Sequence, residues 1–157
     1  MNWLSWLVWG FASTIVMTTL MSSSQGLGLT RMNIPYLLGT MVTAHRDRAK
    51  AFGVLLHVLN GWAFSLAYVV AFQAWGGPTW WKGAAIGLVH SAFVLAAGLP
   101  TMPGIHPRMA SETRGPTVVR QLEPPGFFGL NYGYRTPLSI VIAHVAFGVI
   151  LGTFYRP

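Results

Sequence analysis

The longest uninterrupted apolar pattern runs from Ala51 to Trp75 and contains no charged residue and one histidine, His57. About twenty such residues cross the hydrocarbon core of a bilayer as a helix. The polar, small and aromatic positions recur at steps of three and four, which places them on one stripe of the helix. Because lipid cannot hydrogen-bond an imidazole or an amide, this stripe is predicted to face protein, a cofactor or water. Its members are His57, Gly61, Phe64, Tyr68, Phe72 and Trp75, with Asn60 at the edge.

Three further apolar segments predict three more membrane spans. Together with the segment from Ala51 to Trp75, the four predicted spans cover about residues 3–24, 51–75, 83–100 and 137–155. The fold class predicted is therefore an all-α membrane protein, a four-transmembrane-helix bundle that forms a single integral-membrane domain over residues 1–157. Small side chains on one face of a span let helix backbones approach closely, and hydroxyls can bond within or between helices. The third span carries such a face at Gly83, Gly87, His90, Val94, Ala97 and Gly98, and the first carries Ser13, Thr14, Thr18 and Thr19.

Two long connections separate these spans. Residues 25–50 contain Pro35, which suits a first helical turn, so Pro35 to Ala44 is either a short interfacial helix or an ordinary loop. Residues 101–136 contain too many prolines for a long helix or a sheet, but too many apolar side chains for a disordered linker. This long loop is predicted to be ordered against the bundle or a partner.

Composition supports the membrane interpretation. The chain is 53% hydrophobic and 8% charged, whereas a soluble domain devotes about a quarter of its residues to charge. The net charge of +7 would suggest nucleic acid in a soluble protein, but here the basic residues are confined to loops, so no nucleic-acid partner is predicted. The absence of cysteine excludes disulfides and thiolate sites.

The basic residues also predict orientation. The sequence contains ten Lys and Arg, and eight lie in or beside the connections 25–50 and 101–136. The positive-inside rule then puts these two loops in the cytoplasm and both termini outside. The eight are Arg31, Arg46, Arg48, Lys50, Arg108, Arg114, Arg120 and Arg135, against Lys82 and Arg156 on the other side.

The second and fourth spans share a spacing pattern. Each has a His-Val-x-x-Gly sequence followed by a tyrosine eleven residues after the histidine. The pattern predicts two parallel helix-hairpin repeats, with chance similarity between apolar helices as the alternative. The matched positions are His57, Val58, Gly61 and Tyr68, and His144, Val145, Gly148 and Tyr155.

Three histidines lie within predicted spans and are the candidate cofactor-binding residues: His57, His144 and His90. His57 and His144 are expected about 10 Å inside the cytoplasmic boundary, and His90 about 15 Å, one turn deeper. A haem or bacteriochlorophyll held between two imidazoles needs space beside each ring. A glycine one turn from the histidine provides that space. The alternatives are structural hydrogen bonding and proton relay. The loop residues His45 and His106 are expected to be structural.

Several chemistries lack their usual groups. No carboxylate falls within a predicted span, so a buried di-iron site and an acid-driven ion pathway are not indicated. Neither a glycine-rich phosphate loop nor a nucleophile elbow occurs. The adjacent His90 and Ser91 face different ways on a helix and have no orienting acid. No catalytic residue and no metal site is predicted, and the chain is not predicted to be an enzyme.

Four phrases carry a resemblance to a known group. They are HPRMASE at 106–112, LEPPGF at 122–127, NYG at 131–133 and the closing H-x-x-F-G-x-x-x-G at 144–152. Together they resemble an uncharacterised family of small bacterial four-span integral membrane proteins, a domain of unknown function. The resemblance implies a bacterial plasma-membrane location and the four-helix bundle, and it transfers no functional residue.

Three functions follow as hypotheses. The first is an accessory subunit that docks onto a larger membrane complex, for instance an energy-converting one, through loop 101–136 and an aromatic rim. The second is a haem- or bacteriochlorophyll-binding protein that uses the intramembrane histidines. The third is a small transporter or lipid-handling protein with the polar seam as its path.

Overall fold

The computed structural model describes residues 1–157 and is all-helical. Two irregular turns interrupt or connect the α-helices: a π-helical turn, Val94–Gly98, joins α4 to α5, and a 3-10 helix, Phe127–Tyr132, precedes α6. The only extended pairing is an isolated bridge between Met109 and Leu122. The α-helices are α1 Trp3–Gly26, α2 Ile34–Val42, α3 Arg46–Ala74, α4 Trp80–Phe93, α5 Leu99–Ile105 and α6 Thr136–Phe154.

Four helical segments are long and apolar enough to cross a membrane, which confirms the predicted number of candidate spans. They are α1, α3, the continuous rod Trp80–Ile105 made of α4, the π-helical turn and α5, and α6. Of the two alternatives for Pro35 to Ala44, a short helix or an ordinary loop, the structure has the helix, as α2.

The third span is longer than predicted. It was expected to end at Pro100, but it continues to Ile105, so the long loop begins at His106 and not at Thr101. A proline inside a helix clashes with the carbonyl four residues before it. Here the amide of Leu99 bonds to the carbonyl of Val94, five residues back, and this wider turn accommodates Pro100 at the start of α5.

Asparagine and threonine side chains fix three helix starts. Asn2 accepts a hydrogen bond from the amide of Ser5 at 3.0 Å, and Asn33 accepts one from the amide of Tyr36 at 2.9 Å. Thr79 does the same for α4. Each side chain satisfies an amide that the first helical turn leaves without a partner.

The helices pack in the order α3, α1, α6, α4. α1 lies between α3 and α6, and α6 lies between α1 and α4, whereas the backbones of α3 and α4 come close at few points. The closest approach is between α4 and α6, where a Cβ added at Gly83 would collide with the carbonyl of Gly148. A Cβ at Gly87 would meet the carbonyl of His144 at 2.5 Å. The predicted small-residue face of α4 therefore contacts α6.

The contact between α1 and α3 uses small side chains as well. Gly61 of α3 faces the side chain of Thr14, and Gly10 of α1 faces Ser65. Trp6 donates from its indole nitrogen to the hydroxyl of Ser65 at 2.9 Å. The predicted hydroxyl residues of α1 each donate to the carbonyl four residues earlier, at 2.6 to 2.8 Å.

The loops at one end of the bundle are bound to each other and to α2. We call this the basic end, because it holds the α1–α2 connection and residues 106–135 with most of the arginines. The hydroxyls of Thr30 and Thr136 are 2.7 Å apart, and the amide of Arg31 donates to the carbonyl of Tyr132 at 2.8 Å. Helix α2 packs directly on α3, where a Cβ at Gly39 would collide with the carbonyl of Ala49.

His106 is the main attachment of the long loop to α2. Its ring is 1% exposed, its Nε2 lies 2.9 Å from the carbonyl of Leu37, and its Nδ1 accepts from the amide of Arg108 at 3.1 Å. The side chain of Arg108 donates to the carbonyl of Thr40. His106 is thus a buried structural residue, as expected from the sequence.

A second attachment surrounds Tyr132. Its hydroxyl donates to the carbonyl of Glu123 at 2.6 Å, and the Glu123 carboxylate lies 3.2 Å from the Arg31 guanidinium. Burial first, and then the Glu123 charge, raise the pKa of Tyr132, the Arg31 charge opposes the rise, and the resulting pKa is about 12. The phenol therefore stays protonated and keeps its hydrogen bond.

The glycine contact between α4 and α6 predicts a sharp effect of a single methyl group. Gly83→Ala should destabilise the protein by about 1–3 kcal/mol, because the new Cβ can be relieved only by moving one helix backbone. Thermal unfolding in detergent measures this. Gly104→Ala is the control, since a Cβ there meets no atom within 4 Å. Equal unfolding temperatures for the two variants would contradict the packing.

The attachment by His106 predicts a local effect. His106→Ala should release residues 106–135 from α2 and speed their cleavage by a soluble protease several-fold, because the carbonyl of Leu37 loses its donor. His45→Ala is the control, since His45 is exposed and its side chain makes no hydrogen bond in the structure. Cleavage as slow in His106→Ala as in the control would argue against the attachment.

Candidate functional site

A cavity of about 250 Å³ lies in the gap between α3 and α4. Residues of α1 and α6 form its floor, and α2 and α5 close it at the basic end. Most of the lining is hydrophobic, and no Asp, Glu, Lys or Arg takes part. Phe64 on α3 and Phe93 on α4 line the cavity and are 38% and 54% exposed, so the cavity is open sideways between these two helices. This mouth faces the surface that four membrane-crossing helices would present to lipid.

The cavity brings together all three histidines that the sequence singled out. His57 comes from α3, His90 from α4 and His144 from α6. The rings of His90 and His144 are in contact, with centroids 4.6 Å apart and planes at 86°. Phe64 packs on the other side of His90, with centroids 4.2 Å apart.

The stripe predicted on α3 divides into two parts. Gly61, Tyr68 and Phe72 are buried against protein. His57, Asn60 and Phe64 line the cavity, as Gly61 also does at its edge. Trp75 lies beyond the last turn and is 54% exposed, beside Trp81. The stripe predicted to face protein, a cofactor or water thus contacts protein at some positions, lines the cavity at others, and ends at the exposed Trp75.

The same nitrogen of each ring is held by the protein. His57 Nδ1 lies 2.8 Å from the hydroxyl of Thr18 on α1. His144 Nδ1 lies 2.8 Å from the carbonyl of Ile140, one turn back on α6. His90 Nδ1 lies 3.1 Å from the hydroxyl of Tyr68 on α3. These bonds orient the rings, as the outer hydrogen bonds of ligand-binding histidines do.

The other nitrogen of each ring is free. Nε2 makes no hydrogen bond within the protein in His57, His90 or His144, and no fully buried side-chain nitrogen or oxygen lacks a partner. The three Nε2 atoms are therefore accessible, and the residues that carry them line one cavity. The site can bond the polar group of a molecule that enters from the side.

The depth expected for His90 is wrong. The contacts of Gly83 with Gly148 and of Gly87 with His144 set an antiparallel register in which His90 lies opposite Val141. This places the His90 backbone about 4.5 Å nearer the basic end than that of His144, at 1.5 Å per residue. The expected depth of His90 was obtained by counting residues back from Pro100 as the end of the helix, but the rod continues to Ile105.

A metal ion or a sandwiched tetrapyrrole does not match this geometry. No group of three histidine or carboxylate side chains is arranged to hold a metal ion. The rings of His90 and His144 touch, so no macrocycle fits between them. The cavity volume of about 250 Å³ is also below the roughly 300–1,000 Å³ of pockets for drug-sized ligands.

Sequence reasoning missed the residues that complete the site. Leu37 and Met41 of α2, and Met102 and Ile105 of α5, line the cavity. Both helices belong to stretches that the sequence assigned wholly or partly to loops. Tyr68 was noted as a repeat position, but its role in holding His90 depends on a contact between helices that no local pattern reveals.

Comparisons of this chain with protein-family models, with curated proteins and with solved structures found no match. The resemblance to a family of small bacterial four-span proteins therefore stays a prediction, and the function is argued from the site alone.

The bond between Thr18 and His57 predicts a difference between two neighbouring threonines. Thr18→Val should destabilise the protein by about 1–3 kcal/mol, because a buried ring nitrogen loses its partner. Thr19→Val is the matched control, since the Thr19 hydroxyl bonds only to the carbonyl of Ile15 and is exposed. Thermal unfolding of both variants measures the effect, and a loss as large in Thr19→Val would remove the argument for an anchored His57.

Proposed function

We propose that this chain is a membrane protein that binds a neutral, amphipathic small molecule in the cavity between α3 and α4. The hydrocarbon part of the ligand enters from the bilayer, and its polar group bonds to the intramembrane histidines. One observation carries the proposal: three histidines on three different helices line one hydrophobic cavity, and each is anchored through Nδ1 and has an Nε2 without a protein partner.

The cavity lining supports a neutral ligand. A charged group inside a membrane protein is stable only if it is paired or reaches water. No Asp, Glu, Lys or Arg lines this cavity, so nothing there would pair with a phosphate, a carboxylate or an ammonium. Uncharged lipids and isoprenoid compounds fit better than phospholipid headgroups.

The side opening supports delivery from the bilayer. Ligand pockets are commonly apolar with a few placed polar groups, and this one opens between helices that face lipid in the proposed membrane arrangement. A long apolar chain can remain in the bilayer while the head occupies the cavity of about 250 Å³. The proposal is closest to the lipid-handling alternative drawn from the sequence.

The accessory-subunit hypothesis stays a prediction. The exposed apolar side chains of α1, α3 and the Trp80–Ile105 rod are what any bilayer-embedded helix presents, so they favour no particular partner complex. A transporter role also stays a prediction.

We further propose that the basic end faces the cytoplasm, with both termini outside. The support is that the arginine-containing loops lie together at this end, joined by the contact of Thr30 with Thr136, as the positive-inside rule favours.

We also propose the hairpin repeat, because the second and fourth spans each use the matched glycine to contact the span before them. Gly61 contacts Thr14, and Gly148 contacts Gly83. The two tyrosines differ, since Tyr68 bonds to His90 and Tyr155 accepts from the amide of Asn2.

The proposal predicts a bound molecule that a cavity-filling variant excludes. Protein purified gently from membranes should release a neutral hydrophobic compound on organic extraction, near one per chain, because the cavity would otherwise lack polar partners for its histidines. Val94→Phe fills the cavity from the π-helical turn that follows α4 and should lower the extracted amount at least several-fold. Mass spectrometry of the extract measures it.

Val89→Phe is the matched control, because Val89 lies on the same Trp80–Ile105 rod, is 71% exposed and does not line the cavity. The control should retain the compound. Equal extracts from both variants, or an extract without any neutral compound above the lipid background, would contradict the proposal. Absorption spectra of the same samples test the tetrapyrrole alternative, which requires a band that Val94→Phe abolishes.

A further inference from the structure

We propose that the polar group of the ligand is a hydroxyl, which donates to His144 and accepts from His90; this rests on the proposed function of the cavity. The hydrogen bonds that hold the rings fix which nitrogen of each carries its proton. That in turn fixes whether each free Nε2 donates or accepts.

His144 presents an acceptor. Its Nδ1 lies 2.8 Å from the carbonyl oxygen of Ile140, and a carbonyl can only accept. Nδ1 of His144 therefore carries the proton, and in the neutral ring Nε2 has a lone pair and no hydrogen. The free nitrogen of His144 requires a donor from the ligand.

His57 presents a second acceptor by a two-step argument. The hydroxyl of Thr18 donates its single proton to the carbonyl of Thr14 at 2.7 Å. Toward His57 Nδ1, 2.8 Å away, the same oxygen can then only accept. Nδ1 of His57 carries the proton, and its Nε2 is left as an acceptor.

His90 presents a donor. The phenol of Tyr68 is 2% exposed, and its oxygen has one neighbour able to accept its proton, His90 Nδ1 at 3.1 Å. A buried hydroxyl proton without an acceptor is costly, so Tyr68 donates to this nitrogen. Nε2 of His90 then carries the ring proton.

The rings of His90 and His144 are in contact, and by this assignment one of them offers a donor and the other an acceptor. A hydroxyl is the simplest group that satisfies both, because it donates one hydrogen bond and accepts another. An ether or a ketone satisfies only His90, and a carboxylate would bring an unpaired charge into a cavity without cations. The structure therefore favours a long-chain or isoprenoid alcohol, or a quinol, over the corresponding ether, ester or quinone.

The test uses a matched pair of probes, geranylgeraniol and its methyl ether, which share the hydrocarbon chain and differ in the hydroxyl proton. The protein is placed in phosphatidylcholine nanodiscs with radiolabelled geranylgeraniol, and unlabelled alcohol or ether displaces the label. The alcohol should displace it at a concentration roughly three- to tenfold lower than the ether, the effect of one net hydrogen bond. Equal potency of the two probes would overturn the hydroxyl assignment and leave the proposed function standing. No saturable binding of either probe would instead count against the proposed function.

A variant links the preference to the ring. His144→Phe removes the acceptor and keeps an aromatic side chain, so the alcohol and the ether should become equal within about twofold. Val89→Phe, on the lipid-facing side of α4, should keep the wild-type preference. A preference that persists in His144→Phe would overturn the role of His144.

Nitrogen NMR of the wild-type protein gives a readout that does not depend on folding of a variant. With 15N-labelled histidine, His57 and His144 should show protonated Nδ1, and His90 protonated Nε2. Geranylgeraniol should shift the Nε2 signals of both His90 and His144, whereas the ether should shift only that of His90. A protonated Nε2 in His144 would overturn the proposal directly.

Discussion

The backbone contact of α4 with α6 is the constraint on which the rest of the bundle depends. Burial of apolar side chains gives helices in lipid little reason to associate, so close packing and polar contacts must hold them together. Gly83 and Gly148 allow the two backbones to touch. This contact aligns His90 with His144 and draws α4 toward α6, while α1 holds α3 on the opposite side. The gap between α3 and α4, and hence the cavity, follows from the two strong contacts on either side of it.

The hydroxyl groups of α1 and α3 determine how the histidines are used. Thr18 bonds both to its own helix and to His57, and Tyr68 reaches across the gap to His90. A membrane interior offers no water to satisfy these rings from outside. Each Nδ1 is occupied by protein, and the remaining nitrogen is free on a residue that lines the cavity. In the proposed assignment Nε2 carries a proton in His90 and none in His57 and His144.

The loops of the basic end support the cavity indirectly. Helix α2 packs on α3 through Gly39 and Ala49, and His106 ties the start of the long loop to the same helix. α2 and α5 together close one end of the cavity. Phe147 lines the cavity, and its ring packs 5.2 Å from that of Tyr68. The exposed lining residues Phe64 and Phe93 leave the side between α3 and α4 open.

Local patterns in the sequence determined the helical class, the four candidate spans and the back-bonded hydroxyls of α1, because length, hydropathy and i to i−4 spacing are properties of a single segment. They also singled out His57, His90 and His144, since an imidazole in an apolar helix stands out. The end of the third span at Ile105 was not predictable in this way, because Pro100 is tolerated only through the π-helical turn before it. Tertiary structure decided the register of α4 on α6, the gap beside α3 and the free Nε2 atoms. Each of these depends on which helix packs against which, and the periodicity of four similar apolar segments does not encode that choice.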